Sequence, residues 1–213
     1  MGDRSAFYRC RFAGCQDTLF TGPLPPRELK PGGFAGPDAA KLRRDSRQYY
    51  EECWVRGDVD FIFGSATAVF NRCRIQSNER GQAVNGYIAA ASTPQGKPFG
   101  YVFLGCDLCG DARPATCYLG RLWRDFAKTV FIRCRMGAHI RPEGFHDWNK
   151  ADAAAHTVFY AEYGSAGPGA SARRAPFVRR LTADEAGRYT GHAILSGGDG
   201  WNPERAGGAE IPH

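Results

Sequence analysis

The sequence predicts an all-β solenoid, in which short strands recur along the chain and stack as successive coils. Five cysteines lie in similar segments, which read FYRCRF, YYEECWV, VFNRCRI, VFLGCDL and VFIRCRM. These segments are rich in aromatic residues, Val and Ile with short-period alternation, which favours strands over helices. Successive cysteines are 43, 20, 33 and 28 residues apart, and a strand that recurs at roughly 20 to 30 residues indicates a solenoid.

The repeated cysteines are interpreted as one inward-facing ladder, because a free cysteine packs as a small apolar side chain. They are Cys10, Cys53, Cys73, Cys106 and Cys134. The alternative is disulfide bonding, which eight cysteines would allow in a secreted protein. Cys106 and Cys109 also form a C-x-x-C motif near Cys117, but a zinc site needs four ligands and no fourth is evident. We therefore expect no metal site, and the role of these three cysteines stays open.

Length and charge limit the classes of partner. A chain of 213 residues can bury a substantial core, and we expect residues 1–213 to form a single domain. No run approaches the roughly 18 apolar residues of a membrane span, and the first residues lack the apolar core of a signal peptide. The net charge of +6 suits a polyanion, either nucleic acid or an acidic polysaccharide. Because no nucleic-acid-binding motif is present, we expect neither nucleic acid nor a membrane as a partner.

Residues 21–48 interrupt the repeat and account for the longest step between cysteines. They are rich in Pro, Gly and charged residues, which is typical of a loop inserted into one coil. The loop is interpreted either as a wall or lid beside a cleft or as a surface decoration without function.

The cysteine ladder also aligns two aspartates. Asp60 lies in the apolar run VDFIFG, where an ionised carboxylate is costly unless it is paired. Asp60 follows Cys53 by seven residues, and Asp17 follows Cys10 by seven, so the two acids should stack on adjacent coils. Two close carboxylates resist ionising together, which would give a nucleophile beside a general acid. The alternative is a hydrogen-bonded structural pair at strand ends.

Several segments carry a resemblance to a known family. CQDTLF, GDVDFIFGSA and YLGRLWR occur in the order and rough spacing of the pectin methylesterase (pectinesterase) signatures. VNGYIAAASTPQGKPFGYVFLGC, MGAHIRPEGFHDWN and FYAEYGSAGPGA resemble the same family, and its bacterial branch more than its plant branch. The resemblance runs from about Ser5 to about Leu195. It implies a right-handed parallel β-helix, in agreement with the predicted solenoid.

The resemblance also implies an activity. Members of this family are carboxylic ester hydrolases that demethylate methyl-esterified galacturonan, releasing methanol and leaving pectate. They are aspartyl esterases that use neither metal nor cofactor. The resemblance therefore implies pectin as the partner, a monomer in the full-length form, and an extracellular, periplasmic or cell-wall location.

The matching motifs imply roles for six residues. Asp60 resembles the nucleophile, Asp17 the general acid and then base, and Arg121 the residue that hydrogen-bonds the nucleophile. The remaining three resemble an oxyanion-hole donor, Gln16, and two aromatic residues of the sugar-binding cleft, Trp123 and Phe63. Each has a structural alternative: Gln16 as a hydrogen-bond donor along the coil, Arg121 as a charge partner, and the two aromatic residues as core.

Departures from the family pattern bear on activity. Leu122 stands where the family usually has proline, and Cys15 stands where a larger or polar residue is common. The N-terminal G-x-Y-x-E and Q-A-V-A-L segments of the family are absent, so we expect the N-terminal coils and a second oxyanion-hole glutamine to be missing. A truncated, non-catalytic pectin-binding homologue is therefore the alternative function. RPEGFHDWNK is interpreted as a post-helix loop flanking the cleft, with no catalytic assignment.

Overall fold

The computed structural model describes residues 2–28, 31–34 and 43–205. Within these residues, 17 strands form three parallel sheets of seven, five and five strands. Except for the last two strands, which lie side by side in the seven-stranded sheet, consecutive strands belong to different sheets, and each pairs with a strand one coil away. The predicted all-β solenoid is therefore confirmed.

The bounds of the elements follow the coils. The first sheet contains β1 (Ser5–Tyr8), β4 (Arg47–Glu51), β7 (Thr67–Asn71), β10 (Tyr101–Leu104), β13 (Lys128–Ile132), β16 (Phe159–Tyr163) and β17 (Val178–Arg180). The second contains β2 (Arg11–Ala13), β5 (Trp54–Gly57), β8 (Arg74–Ser77), β11 (Asp107–Gly110) and β14 (Arg135–Met136). The third contains β3 (Leu19–Thr21), β6 (Val59–Gly64), β9 (Gly86–Ala91), β12 (Cys117–Arg121) and β15 (Phe145–His146). The helices are α1 (Ala151–His156), α2 (Ala183–Gly187) and α3 (Gly191–Leu195), with short 3-10 helices at Gly197–Asp199 and Pro203–Arg205.

The cysteine ladder lies at the turn between the first and second sheets. The five repeated cysteines precede β2, β5, β8, β11 and β14, which pair in register, and all eight cysteines of the chain are free thiols. Four of the five are buried and Cys10 is half-buried. Their thiols donate to carbonyls of their own coil and of the coil before, as Cys73 does to Asn71 and Tyr50 at 3.5 and 3.4 Å. The ladder is therefore confirmed.

A second ladder, of aromatic rings, fills the interior beside the first sheet. Neighbouring rings stack nearly parallel, with centroids 4.4 to 4.9 Å apart. The rings belong to Phe7, Tyr50, Phe70, Phe103 and Phe131. On the next coil the same position holds Glu162, whose buried carboxylate is paired with the buried guanidinium of Arg174 at 2.6 Å. The aromatic ladder thus ends in a buried ion pair.

The outer face of the first sheet is covered by the C-terminal segment. Val69, Val102 and Val130 form one buried cluster with Ile194 and Leu195 of α3. Burial of this apolar face stabilises the sheet and leaves the second and third sheets as the more open faces.

The inserted loop is shorter than predicted. β3 ends at Thr21 and β4 begins at Arg47, so the connection occupies residues 22–46 rather than 21–48. Residues 29–30 and 35–42 of this loop lie outside the described residues, and its interpretation as a lid or a decoration stays a prediction. Across the described ranges, helices that combine the length and apolarity needed to cross a membrane are absent.

Candidate active site

Asp17 and Asp60 occupy equivalent places on adjacent coils. The Asp17 backbone N–H donates to the Val59 carbonyl at 3.0 Å, and Leu19 pairs with Ile62 two residues later. Both aspartates have left-handed backbone conformations, with φ of 55° and 51°. Asp adopts this conformation more readily than most residues. The predicted stacking of the two acids is therefore confirmed, with the same backbone geometry repeated in both coils.

The position of Asp60 depends on an irregularity in β6. The pairing of β6 with β9 shifts register between Val59 and Ile62, and such a bulge re-aims the side chains within it. The strand then ends at Gly64, where φ is 131° and an added Cβ would lie 2.1 Å from the Thr21 carbonyl oxygen. Asp60 is only 9% exposed. Its carboxylate therefore needs a partner.

That partner is Arg121, the last residue of β12. Arg121 Nε donates to Asp60 Oδ1 at 2.8 Å, and Arg121 Nη2 donates to Oδ2 at 2.5 Å. This bidentate arrangement uses the planar fork of the guanidinium and fixes the orientation of the carboxylate. It also explains how an acid can stand in an apolar strand.

Two aromatic rings pack against the Arg121 guanidinium. The guanidinium carbon lies 4.3 Å from the ring centroid of Tyr87 and 4.0 Å from that of Trp148, which is within cation–π distance of each ring. Trp148 belongs to the RPEGFHDWNK segment and has a positive φ of 49°, uncommon for a bulky residue. This segment precedes α1 (Ala151–His156), so the post-helix placement was wrong. No role was predicted from the sequence for Tyr87 or Trp148.

The electrostatics of the two acids differ. Burial raises the pKa of Asp60, and the Arg121 hydrogen bonds and charge oppose that rise. Burial and the Asp60 charge raise the pKa of Asp17, opposed by the Arg121 charge and a hydrogen bond from Gln16. The bidentate guanidinium favours the ionised form of Asp60, and burial together with the Asp60 charge favours the protonated form of Asp17. This is the proton distribution that a nucleophile and a general acid require.

An aromatic strip runs along the third sheet beside the acids. We use this name for Phe20, Phe63 and Trp123, whose ring centroids lie 5.0 Å and 5.7 Å apart in that order. Phe63 and Trp123 are half-buried, and Phe20 is 38% exposed. The assignment of Phe63 and Trp123 to a sugar-binding cleft stays a prediction, with core packing as its alternative. Phe20 was missed, although it follows Asp17 by three residues as Phe63 follows Asp60.

The C-x-x-C cysteines are separated in space. Cys106 is buried in the ladder, whereas Cys109 lies on β11 and accepts a contact from Arg74 Nε at 3.2 Å. Cys117 is buried beside Asn85. In the part of the chain that the structure describes, no three His, Cys, Asp or Glu residues are grouped so as to hold a metal ion.

Comparison with known proteins gives a consistent result. A pectinesterase family model matches residues 38–198. The chain is 36% identical to pectinesterase 31 of Arabidopsis thaliana over 195 residues, which cover 91% of this chain and 53% of that relative. The chain thus spans about half the length of this relative and of probable pectinesterase 8 from the same plant, and less of several others.

Solved structures show the same likeness. Pectin methylesterase from carrot matches with a TM-score of 0.75 and 26% identity, covering 99% of this chain and 61% of that one. A pectin methylesterase in complex with a hexasaccharide matches with a TM-score of 0.69 and 28% identity, covering 95% of this chain and 59% of that one. These neighbours confirm the predicted right-handed parallel β-helix. The matching family model, the sequence identity and the shared fold together show that the chain belongs to the pectinesterase family.

Proposed function

We propose that this chain demethylates methyl-esterified galacturonan, giving pectate and methanol. The observation that carries the proposal is the bidentate Asp60–Arg121 pair, with Asp17 in register on the adjacent coil. Family membership and the hexasaccharide bound to a structural neighbour support an oligosaccharide ester as the substrate.

In the first half-reaction, the Asp60 carboxylate attacks the ester carbonyl carbon. The carbonyl oxygen becomes an oxyanion, and the exposed Gln16 amide is the proposed donor to it. Such a donor is worth about 3 to 4 kcal/mol in other hydrolases. The bond to the methoxy group then breaks as Asp17 gives its proton to the departing oxygen. Methanol leaves, and Asp60 is joined to the sugar carboxyl as an anhydride.

In the second half-reaction, Asp17 is a carboxylate and acts as the base. It takes a proton from water as the water oxygen attacks the sugar carbonyl of the anhydride. The Asp60 carboxylate is the leaving group, and the product is the free galacturonic acid. Both aspartates return to their starting protonation states, so the cycle consumes one water for each methanol released.

The substrate chain is proposed to lie along the aromatic strip. Flat, partly exposed rings beside the acids offer apolar faces to sugar rings, and Phe63 and Trp123 are three and two residues from Asp60 and Arg121. Because the substrate is a wall polymer too large to enter a cell, we also propose an extracellular or cell-wall site of action.

Methanol release from methylated pectin tests the proposal. Asp60→Asn should abolish turnover, because an amide is not a carboxylate nucleophile. Asp111→Asn is the matched control, since Asp111 is an exposed carboxylate directly after β11 of the second sheet and its partner is Arg56. Methanol release by Asp60→Asn at the wild-type rate would contradict the mechanism. A wild-type chain that binds pectin without releasing methanol would favour the non-catalytic alternative.

A further inference from the structure

We propose that a groove on the second sheet binds the carboxylates of demethylated galacturonan, at a distance from the catalytic pair. This groove, the arginine groove, has a volume of about 500 Å³. Its polar lining consists of four arginines and three other residues, which are Arg9, Arg11, Arg72, Arg74, Glu52, Trp54 and Gln76. The identity of the polyanion rests on the proposed function.

The arginine groove is separate from the candidate active site in the fold. Arg11, Trp54 and Arg74 pair in register on β2, β5 and β8 of the second sheet. Asp60 and Phe63 lie on β6 of the third sheet. Because neighbouring strands are about 4.8 Å apart, the three groove residues form a row across three coils, about 10 Å from Arg11 to Arg74. A row of this length spans more than one unit of a polymer.

Two of the four arginines are already satisfied within the fold. Glu52 accepts from Arg9 Nε at 3.2 Å and lies 3.3 Å from Arg72 Nη2. These contacts form an alternating charge ladder that stabilises the stacked coils. The groove still holds four positive side chains against one negative side chain.

The other two arginines, Arg11 and Arg74, have capacity for an anion. Both are exposed, and among the described residues neither has a carboxylate within ion-pair distance. The Arg11 guanidinium lies 5.6 Å from the Trp54 ring centroid, and Arg74 Nε contacts only a weak acceptor, Cys109 Sγ. The two arginines therefore occupy the strand positions on either side of Trp54, and both have hydrogen-bond donors available.

The chemistry of this row suits a uronate better than a neutral sugar. Guanidinium forks bind carboxylates bidentately, and the half-buried indole of Trp54 offers a flat apolar face. The Trp54 Nε1–H donates to Gln76 Oε1 at 3.0 Å, so the Gln76 amide N–H groups remain for hydroxyl oxygens. A methyl ester has no charge for the arginines. The groove should thus bind the product of the proposed reaction and discriminate against the substrate.

Product binding on a second face would act as an anchor. A polymer held by its demethylated stretch presents neighbouring methylated stretches at a raised local concentration. The Michaelis constant for partly demethylated pectin should therefore be lower than that for fully methylated pectin.

The experiment compares three forms of the full chain by calorimetric titration with polygalacturonate, which carries no ester. Arg11→Gln/Arg74→Gln removes the two available forks. Arg173→Gln/Arg188→Gln removes the same charge from exposed positions outside the groove and is the matched control. The groove double variant should bind about 10-fold more weakly, and the control should stay within about 2-fold of the wild type. The ratio of the two Michaelis constants should fall towards one in the groove variant alone.

Equal binding by the wild type and the groove variant would overturn the proposal. So would an equal loss in both double variants, or equally tight binding of single-stranded nucleic acid, because each indicates unspecific charge attraction. Failure of the proposed function gives a different result: no methanol from any pectin, while the polygalacturonate titrations still decide the groove.

Discussion

Replacing Arg121 with lysine should disable the Asp60 carboxylate while keeping a positive charge beside it. The arginine holds both carboxylate oxygens, at 2.8 and 2.5 Å, and its guanidinium carbon lies 4.3 and 4.0 Å from the ring centroids of Tyr87 and Trp148. A lysine ammonium is a point charge that can hold one oxygen well and cannot stack as a plane. Orientation of the nucleophile should therefore be lost.

The magnitude follows from those contacts. A hydrogen bond to a charged group is worth about 1.5 to 3 kcal/mol, and a partly exposed cation–π contact about 0.5 to 1 kcal/mol. Loss of one of each gives about 2 to 4 kcal/mol, or about 30- to 1,000-fold in kcat/KM. Since Arg121 opposes the rise that burial causes in the pKa of Asp60, the acid limb of the pH profile should also move to higher pH.

Initial rates of methanol release across pH measure both effects. Tyr87→Phe is the control, because it keeps the ring beneath Arg121, whereas Tyr87→Leu should move the acid limb in the same direction as Arg121→Lys. Thermal melting should show that each variant is folded. An Arg121→Lys protein within about 3-fold of the wild type, with an unmoved acid limb, would refute the orienting role.

Three further predictions concern protons and buried charge. Asp17→Asn should lower methanol release by about 10² to 10⁴-fold and remove the basic limb of the pH profile. The basic limb is expected to report Asp17 because burial and the neighbouring Asp60 carboxylate raise its pKa. If the variant retained the basic limb, that limb would belong to another group. Burial lowers the pKa of His139 to about 4, so the unfolded chain binds a proton that the folded chain excludes. The contribution of His139 to the free energy of unfolding should be fully present above about pH 6.5 and fall by up to about 3 kcal/mol towards pH 4, as measured by urea titrations. His139→Asn should reduce this pH dependence. Substitution of the exposed His192 by Asn is the control and should leave it unchanged. Arg174→Met should lower the free energy of unfolding by about 3 to 5 kcal/mol, because it leaves Glu162 buried and unpaired. The double variant Glu162→Leu/Arg174→Met should recover most of this loss. A double variant as unstable as the single one would contradict the interpretation that the unpaired carboxylate is the cause.

The fold and the acid pair could be predicted because the segments from the ladder cysteine to the aspartate are equal in length in the first two coils. A constant spacing of 43 residues relates Cys10 to Cys53 and Asp17 to Asp60, and no residue is inserted between ladder and acid in either coil. Parallel pairing turns such equal spacing directly into neighbouring positions in space. The same spacing relates Phe20 to Phe63, so the position of Phe20 at the end of the aromatic strip could also have been predicted from the sequence.

The packing of Tyr87 and Trp148 against Arg121 could not be predicted in the same way. The register shift between Val59 and Ile62 changes the offset between the second and third coils, so residue spacing does not predict which residues lie beside Tyr87 on the neighbouring strands. Trp148 follows the last strand of the third sheet, where no repeat continues. The buried ion pair of Glu162 could not be predicted either, because its partner Arg174 lies in a non-repeating segment and the sequence of its own strand resembles that of the other strands.

The candidate site draws one residue from each of five levels of the solenoid. Asp17 comes from the first coil, Asp60 from β6, Tyr87 from β9, Arg121 from β12, and Trp148 from the segment that follows β15. Parallel pairing holds successive coils at the strand spacing of about 4.8 Å. The distance that the Arg121 side chain must cover to contact Asp60 is therefore set by two strand pairings, β6 with β9 and β9 with β12. The geometry of the nucleophile therefore depends on the stacking of the coils, and substitutions that loosen that stacking should misplace Arg121 before they unfold the chain.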